Sequence, residues 1–339
     1  MPLAHAGVGR TAPDAARLPL AGRAPLVRPP KEAAPRTVPP HPGLGTAGVL
    51  ARPFAPDPRP RPAPAPVLPD FGHTLAPGES FRFDVTFAGN PAGLARASVV
   101  EVLPDPRGGP PRGAPLLRLT GSARTSGVVS LLASVTDDIE SLLDARSGFP
   151  VRTVNVIHYE GLRMSYRERV TTTSFHGRGR VHLDDRKDDR SRTRVRDVPI
   201  DTLDPLSAMA WVRSLHLQPG QRAQAHVMDG TALLRVEILA RGRRAPDPMP
   251  PIAGTLELGP GDVEMIEGVL TRVDAQDRPI PGKPRYELRA YLSADSRHLP
   301  LRMETDMWVG AMRLDLVQYD PPTQGPPAAA GPPPAPGAP

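Results

Sequence analysis

Six metal-ligand types of side chain fall within one short run: His176, His182, Asp184, Asp185, Asp188 and Asp189. Mixed nitrogen and oxygen donors of this kind suit a divalent ion. Arg178, Arg180, Arg186, Lys187, Arg190 and Arg192 are interleaved with them, so the charges largely cancel. The run also lacks a glycine where a calcium loop turns, and it reads as a solvated hairpin tip. A second constellation is Ser207 with Asp201, Asp204 and His216. Ser-His-Asp catalysis needs a nucleophile on a sharp turn beside an oxyanion hole. No G-x-S-x-G surrounds Ser207, and Asp204 reads more simply as a helix cap. Arg213 reads as one half of an ion pair at a sheet edge. Asp295, Arg297 and His298, ahead of Pro300, read as a turn held by local hydrogen bonds. Gly259-Pro260-Gly261 lacks the Lys-Ser/Thr and helix of a phosphate loop. The residues predict no catalytic set, no metal site and no cofactor.

The elements that position these residues are mostly strands. Phe81, Phe83, Val85 and Phe87 alternate on one face, the pattern of a half-buried strand. Gly89-Asn90-Pro91-Ala92-Gly93 is a turn, Leu94 to Leu103 is extended again, and the Pro/Gly-rich 104–115 is a loop. Further strands are predicted at 116–124, 150–158, 162–173, 179–184, 223–229, 231–241, 253–258, 262–274, 284–292, 299–306 and 308–318. Asp229-Gly230 and Pro260-Gly261 favour antiparallel hairpins. Ser126 to Leu132 fits either a short helix or a buried strand. The segment from Asp204 to Leu215 is a helix: Asp204 caps it, Pro205 suits its first position, and Gln218-Pro219-Gly220 stops it.

Proline marks the ends of this domain. Of 47 prolines, 18 lie in residues 1–69 and 9 in residues 320–339. Proline fixes φ and removes a backbone donor, so both segments are expected to be disordered Pro-rich tails. The organisation expected is an arm over 1–69, a β domain over 70–319 and a tail over 320–339. The net charge is +6, and the arm's nine Lys or Arg against three Asp or Glu account for all of it. The near-neutral body, with few aromatics, predicts no specific nucleic-acid binding. The absence of cysteine removes disulfides, thiolate catalysis and Cys-ligated metal. No stretch approaches the ~20 apolar residues of a transmembrane segment. Arg10, Asp14, Arg17 and Arg23 break the N-terminal apolar runs, so no signal peptide is legible and a cytoplasmic location stays open.

Asp204-Pro205-Leu206-Ser207-Ala208, with Arg213 and the Leu217/Gly220 ending, resembles the signature helix of the bacterial domain-of-unknown-function family 3108 (DUF3108). The early Phe83…Gly89…Ala92-Gly93 strand–turn–strand and the corner Asp295-Ser296-Arg297-His298-Leu299-Pro300 match it too, over about 75–319. The resemblance implies an exported envelope protein built as a curled antiparallel sheet around a helix. That shape is similar to the lipoprotein-localisation carriers, which hold acyl chains in a half-open barrel.

The fold class expected is therefore mainly β, a curled antiparallel sheet or half-open barrel with one or two short helices and Pro-rich tails. The family implies a periplasmic or envelope-associated location and a non-catalytic role, binding a lipid or lipoprotein in a concave groove. Met164, Val170, Trp211, Leu215, Leu256, Met265, Tyr291, Met303 and Trp308 are the groove candidates, and core packing is the competing role for each. The family-motif candidates are Asp204, Ser207, Arg213, Asp295, Arg297 and Pro300. The rival reading is an interaction module whose Pro-rich arm docks an envelope protein partner.

Overall fold

Alternation of apolar residues over short segments, punctuated by Gly, Asn and Asp, builds a meander. The computed structural model describes residues 74–104, 115–127, 130, 134–161, 167–176, 179–307 and 310–323. Residues 1–69, most of 320–339, Met164, Trp308 and much of Ser126–Leu132 lie outside the described residues. The first half of the chain supplies β1 (Ser80–Phe87), β2 (Asn90–Leu103), β3 (Leu116–Thr125) and β4 (Ser134–Asp144). It continues with β5 (Pro150–Glu160), β6 (Glu168–Phe175), β7 (Arg180–Lys187) and β8 (Arg190–Asp197). The second half supplies β9 (Thr202–Leu203), α1 (Pro205–Ser214), β10 (Arg222–Asp229) and β11 (Ala232–Arg243). The short α2 (Ile252–Thr255) precedes β12 (Val263–Arg272), β13 (Arg285–Ser293), β14 (Pro300–Met307) and β15 (Gly310–Asp320).

All fifteen strands join one sheet, in the order β8-β7-β6-β5-β4-β3-β2-β1-β15-β14-β13-β12-β11-β10-β9. Every pairing is antiparallel except that of β9 with β10. The first and last strands pair at the centre, Ser80 opposite Asp320 and Phe87 opposite Met312. Two wings spread from that seam, and the chain itself brings their far edges together. Only residues 198–201 separate β8 from β9, and four residues span roughly 14 Å at most. Among the described residues no ladder joins the two edges, so the barrel stays open in hydrogen-bonding terms. Side chains close it instead: Val181, Leu183 and Val198 pack with Met228, Leu233 and Val273 from the other wing. Arg196 also donates to the carbonyls of Thr231 and Val273 across the gap.

The helix α1 fills the inside of the curl, packing on β3, β4 and β10. Trp211 is 1% exposed, and Leu206 and Ala210 are buried beside it. Gly121 makes room for this packing: a Cβ there would lie 2.8 Å from Ile139 Cγ2 and 3.0 Å from Leu206 Cδ2. Phe81, Phe83, Leu117, Leu119 and Leu143 complete the same core. Register shifts at Val85/Thr86, Val99/Glu101 and Leu142/Leu143 introduce the bulges that bend the first wing.

The structure corrects the sequence reading in four places. Residues 253–258 were expected as a strand, but Ile252–Thr255 is helical, because Pro251 already holds φ −55° and ψ −35°. Strand β4 went unrecognised, since Asp137 and Ser141 occupy its inward face and interrupt the apolar period. Strand β8 was hidden in the same way, being polar on both faces. The His/Asp run is therefore not only a solvated tip: it builds the β7–β8 hairpin, and Val181 and Leu183 on β7 are buried.

A polar triad around the buried His226 fastens the second wing to the connector between β8 and β9. His226 on β10 has Nδ1 2.8 Å from Asp201 Oδ1 and Nε2 2.9 Å from Asp277 Oδ1. Burial opposes a charge on this ring, but the two carboxylates outweigh it and hold its pKa above the usual histidine value. The triad therefore stabilises the fold fully below about pH 6.5, the unfolded value. That contribution is lost as pH rises through the raised folded pKa. Thermal melts of wild type and His226→Gln from pH 5.5 to 9 are expected to converge at the alkaline end. A Tm difference that stays constant across this range would overturn the assignment.

Candidate functional site

The start of α1 is tied off by its own sequence. Asp204 is fully buried; its Oδ1 accepts the Ser207 N–H at 2.7 Å and its Oδ2 accepts the Thr153 hydroxyl from β5. Ser207 Oγ in turn accepts the Asp204 N–H at 2.9 Å, which completes a reciprocal cap. The Ser207 hydroxyl and the Asp204 carboxylate are thus both engaged in holding the helix. His216 sits elsewhere, with Nδ1 3.0 Å from the Ser214 carbonyl. The triad weighed from the sequence is not assembled.

At the other end of α1, Arg213 is drawn inward. Its guanidinium donates to both carboxylate oxygens of Glu79, at 2.8 and 2.9 Å, and to the Arg297 carbonyl at 3.1 Å. It lies over the Phe81 ring, 4.9 Å from the centroid. Tyr319 donates its hydroxyl to Glu79 Oε1 at 3.1 Å. Burial and then the Glu79 charge push the Tyr319 phenol up to about 12. The ion pair expected for Arg213 is therefore present, but in the core rather than at an edge. Glu79 and Tyr319 were not foreseen, because they lie 134 residues before Arg213 and at the far end of β15.

The Asp295–Pro300 corner docks on this end of the helix. Asp295 accepts the Ser293 hydroxyl at 2.7 Å and the Arg297 N–H at 3.1 Å, and it pairs with the Arg297 guanidinium. Burial raises the Asp295 pKa, but Arg297 and Ser293 more than offset this and leave it below the usual carboxylate range. His298, in left-handed conformation with φ 44°, places Nδ1 3.0 Å from the Arg213 carbonyl. That contact sets the proton on Nδ1, and burial lowers the ring's pKa. His216 stacks on it with centroids 4.9 Å apart. Pro300 then opens β14. The motif residues Asp204, Ser207, Arg213, Asp295 and Arg297 thus act as a brace around one helix.

The groove candidates divide. Trp211, Met265 and Tyr291 are core, and Leu215, Leu256 and Met303 pack against it. The void left beside them, between Val212, Leu215, Met265, Leu292 and His298, is about 10 Å³. That is room for one water molecule, and the expected open concavity is filled by α1.

The larger hollow lies on the opposite face of the first wing. Cross-strand register places Arg96, Ser122, Asp138 and Val156 in one row and Ser98, Thr120, Glu140 and Val154 in the next. The alternate residues, Leu119, Gly121 and Ile139, point toward α1. These rows line a groove of about 550 Å³, with Arg152 at one side. Val170, one of the sequence candidates, stands opposite Val156 and extends its apolar floor. Arg118 bridges Glu101 at 2.5 Å and Glu140 at 3.5 Å beside it. This groove was illegible in the sequence, since it is assembled from four strands.

The His/Asp run is occupied by its own neighbours. Asp185 pairs with Arg169, Asp184 accepts the Thr193 hydroxyl at 2.6 Å, and Asp188 accepts the N–H groups of Arg167 and Glu168. His176 and His182 pack ring to ring, 4.1 Å between centroids. Among the described residues, no three His, Cys, Asp or Glu side chains are placed to hold a metal ion.

The curled, helix-filled sheet defines a β-barrel-like protein. A family model described as "Protein of unknown function (DUF3108)" matches residues 82–317, and the chain belongs to that family. A solved structure, the beta-barrel-like protein of domain of unknown function DUF1849 from Brucella abortus, is similar at 14% identity and a TM-score of 0.47. That similarity covers 73% of this chain and 98% of the other. No curated protein matches the chain.

Proposed function

We propose that this is a non-catalytic binding protein of the bacterial cell envelope whose ligand, a lipid or lipoprotein, occupies the outer groove across β2–β5. The observation that carries this reading is the groove itself. Its volume of about 550 Å³ falls within the range of ligand sites. Arg96 and Arg152 against Asp138 and Glu140 suit a zwitterionic headgroup, while Val154 and Val156 offer apolar area to its glycerol or acyl portion. The envelope location rests on the family's resemblance to exported proteins. A non-catalytic role is supported by the two ends of α1, where the polar contacts of Asp204, Ser207 and Arg213 named above serve to hold the fold.

The test is native mass spectrometry of the full chain purified from its own host. A bound amphiphile is expected, and it should be lost in Val156→Gln, a neutral polar change opposite Asp138, while the melting temperature stays close to wild type. Protein that carries no adduct, or an adduct indifferent to Val156→Gln, overturns the groove assignment. Recovery of all the protein in the cytoplasmic fraction overturns the envelope assignment.

A further inference from the structure

Strand β8 ends the sheet, pairing with β7 on one side only. Its sequence, RSRTRVRD, is exposed at every position except Arg196. From Arg190 to Val195 the free side has no ladder partner among the described residues, while Arg196 beyond them reaches the other wing, so this exposed stretch is a ready template for another strand. Ladder register puts Arg190, Arg192, Arg194 and Arg196 on the inner face, opposite Lys187, Asp185, Leu183 and Val181. Asp185 is already paired with Arg169. Arg190, Arg192 and Arg194 have no carboxylate partner among the described residues. The outer face carries Ser191, Thr193 and Val195, and Val195 is 58% exposed. The edge is thus a ladder with a row of cations on one side and a small, partly apolar row on the other.

We propose that β8 takes up an extended acidic segment of a partner protein by strand addition, with the partner's alternate Asp or Glu side chains facing Arg190, Arg192 and Arg194. Charge complementarity selects this occupant. A second copy of the chain is disfavoured: antiparallel β8–β8 pairing that continues the curl sets Arg opposite Arg at every inner position, and like charges directly opposed are destabilising. The chain's own arm is disfavoured as well. It carries net positive charge, and its 18 prolines lack the N–H that a ladder needs. The same inward arginines keep the bare edge from pairing indiscriminately, so the edge stays open for an acidic strand. This surface is separate from the β2–β5 groove, and its failure would leave that reading untouched.

The experiment uses the full chain and a labelled eight-residue peptide alternating Glu and Thr, followed by fluorescence anisotropy, with amide hydrogen exchange as the second readout. Binding is expected, with exchange slowing in β8. Methylation of alternate peptide backbone nitrogens, which leaves the charge intact, should weaken binding at least about tenfold. Arg192→Glu/Arg194→Glu should do the same, since charge-assisted pairs become repulsive. Both positions are exposed, so the variant is expected to melt like wild type. The milder Arg192→Gln/Arg194→Gln should bind with intermediate strength. Equal binding of the N-methylated peptide, or of anionic phospholipid vesicles in competition with it, would reduce the edge to a general polyanion surface and overturn the proposal. No binding, or binding indifferent to the arginine substitutions, would overturn it as well.

Discussion

Glu79→Ala is expected to destabilise the protein by about 3–5 kcal/mol, because it strands a buried guanidinium. The Arg213 and Glu79 side chains are only 3% and 4% exposed. Two charges withdrawn so far from water are tolerable only while each neutralises the other. Removal of the carboxylate leaves Arg213 with the Arg297 carbonyl and the Phe81 ring, which cannot balance a full charge. It also deprives the Tyr319 hydroxyl of its acceptor. The double variant Glu79→Gln/Arg213→Met removes both charges and should recover most of the loss, since an apolar or neutral pair avoids the desolvation cost. Equilibrium denaturation of the two singles and the double gives the coupling directly. A Glu79→Ala cost below about 1 kcal/mol, the range of exposed pairs, would show that the ion pair does not hold α1 to β1.

Trp211→Ala should cost a similar amount, about 3–5 kcal/mol, for a different reason. Among the described residues the indole is the largest fully buried side chain. Its helix packs on β3 and β4 of one wing and on β10 of the other, so collapse around the cavity would require the wings to move together. Trp211→Phe separates volume from polarity. The indole Nε1 is buried and has no acceptor among the described residues, a defect that ordinarily costs about 1–3 kcal/mol. Phenylalanine loses some contact area but removes that defect, so its net change should stay within about 1.5 kcal/mol. Denaturation midpoints decide the matter: Trp211→Ala no worse than Trp211→Phe would mean that α1 is not the packing element of the curl.

The elements read most directly from the residues were those whose signals are local. Phe81 and Phe83 alternate, and β1 buries both. Asp204 and Pro205 announce a helix start, and the cap is formed by Asp204 and Ser207 themselves. The Asp295–Pro300 corner could be read because its bonds link residues two to six positions apart. The elements that escaped are those whose meaning is set from outside. Asp137 points into the wing because Asn155 on the neighbouring strand donates to it at 2.8 Å. The polar β8 is a strand because β7 pairs along its whole length.

What the sequence determined by itself is therefore a β-rich chain, one capped helix, a family and a proline-marked pair of ends. Short-range sterics, capping and turn chemistry act within a few residues, so they leave a readable trace. The tertiary structure alone decided that α1 fills the concavity instead of flanking an open one, that the hollow lies on the outer face of β2–β5, and that β8 is left bare. Each of these depends on which strands become neighbours and how far the sheet curls. Those outcomes are fixed by contacts between separate strands and the helix, up to the 134 positions between Glu79 and Arg213, and the pattern within any one segment carries no record of them.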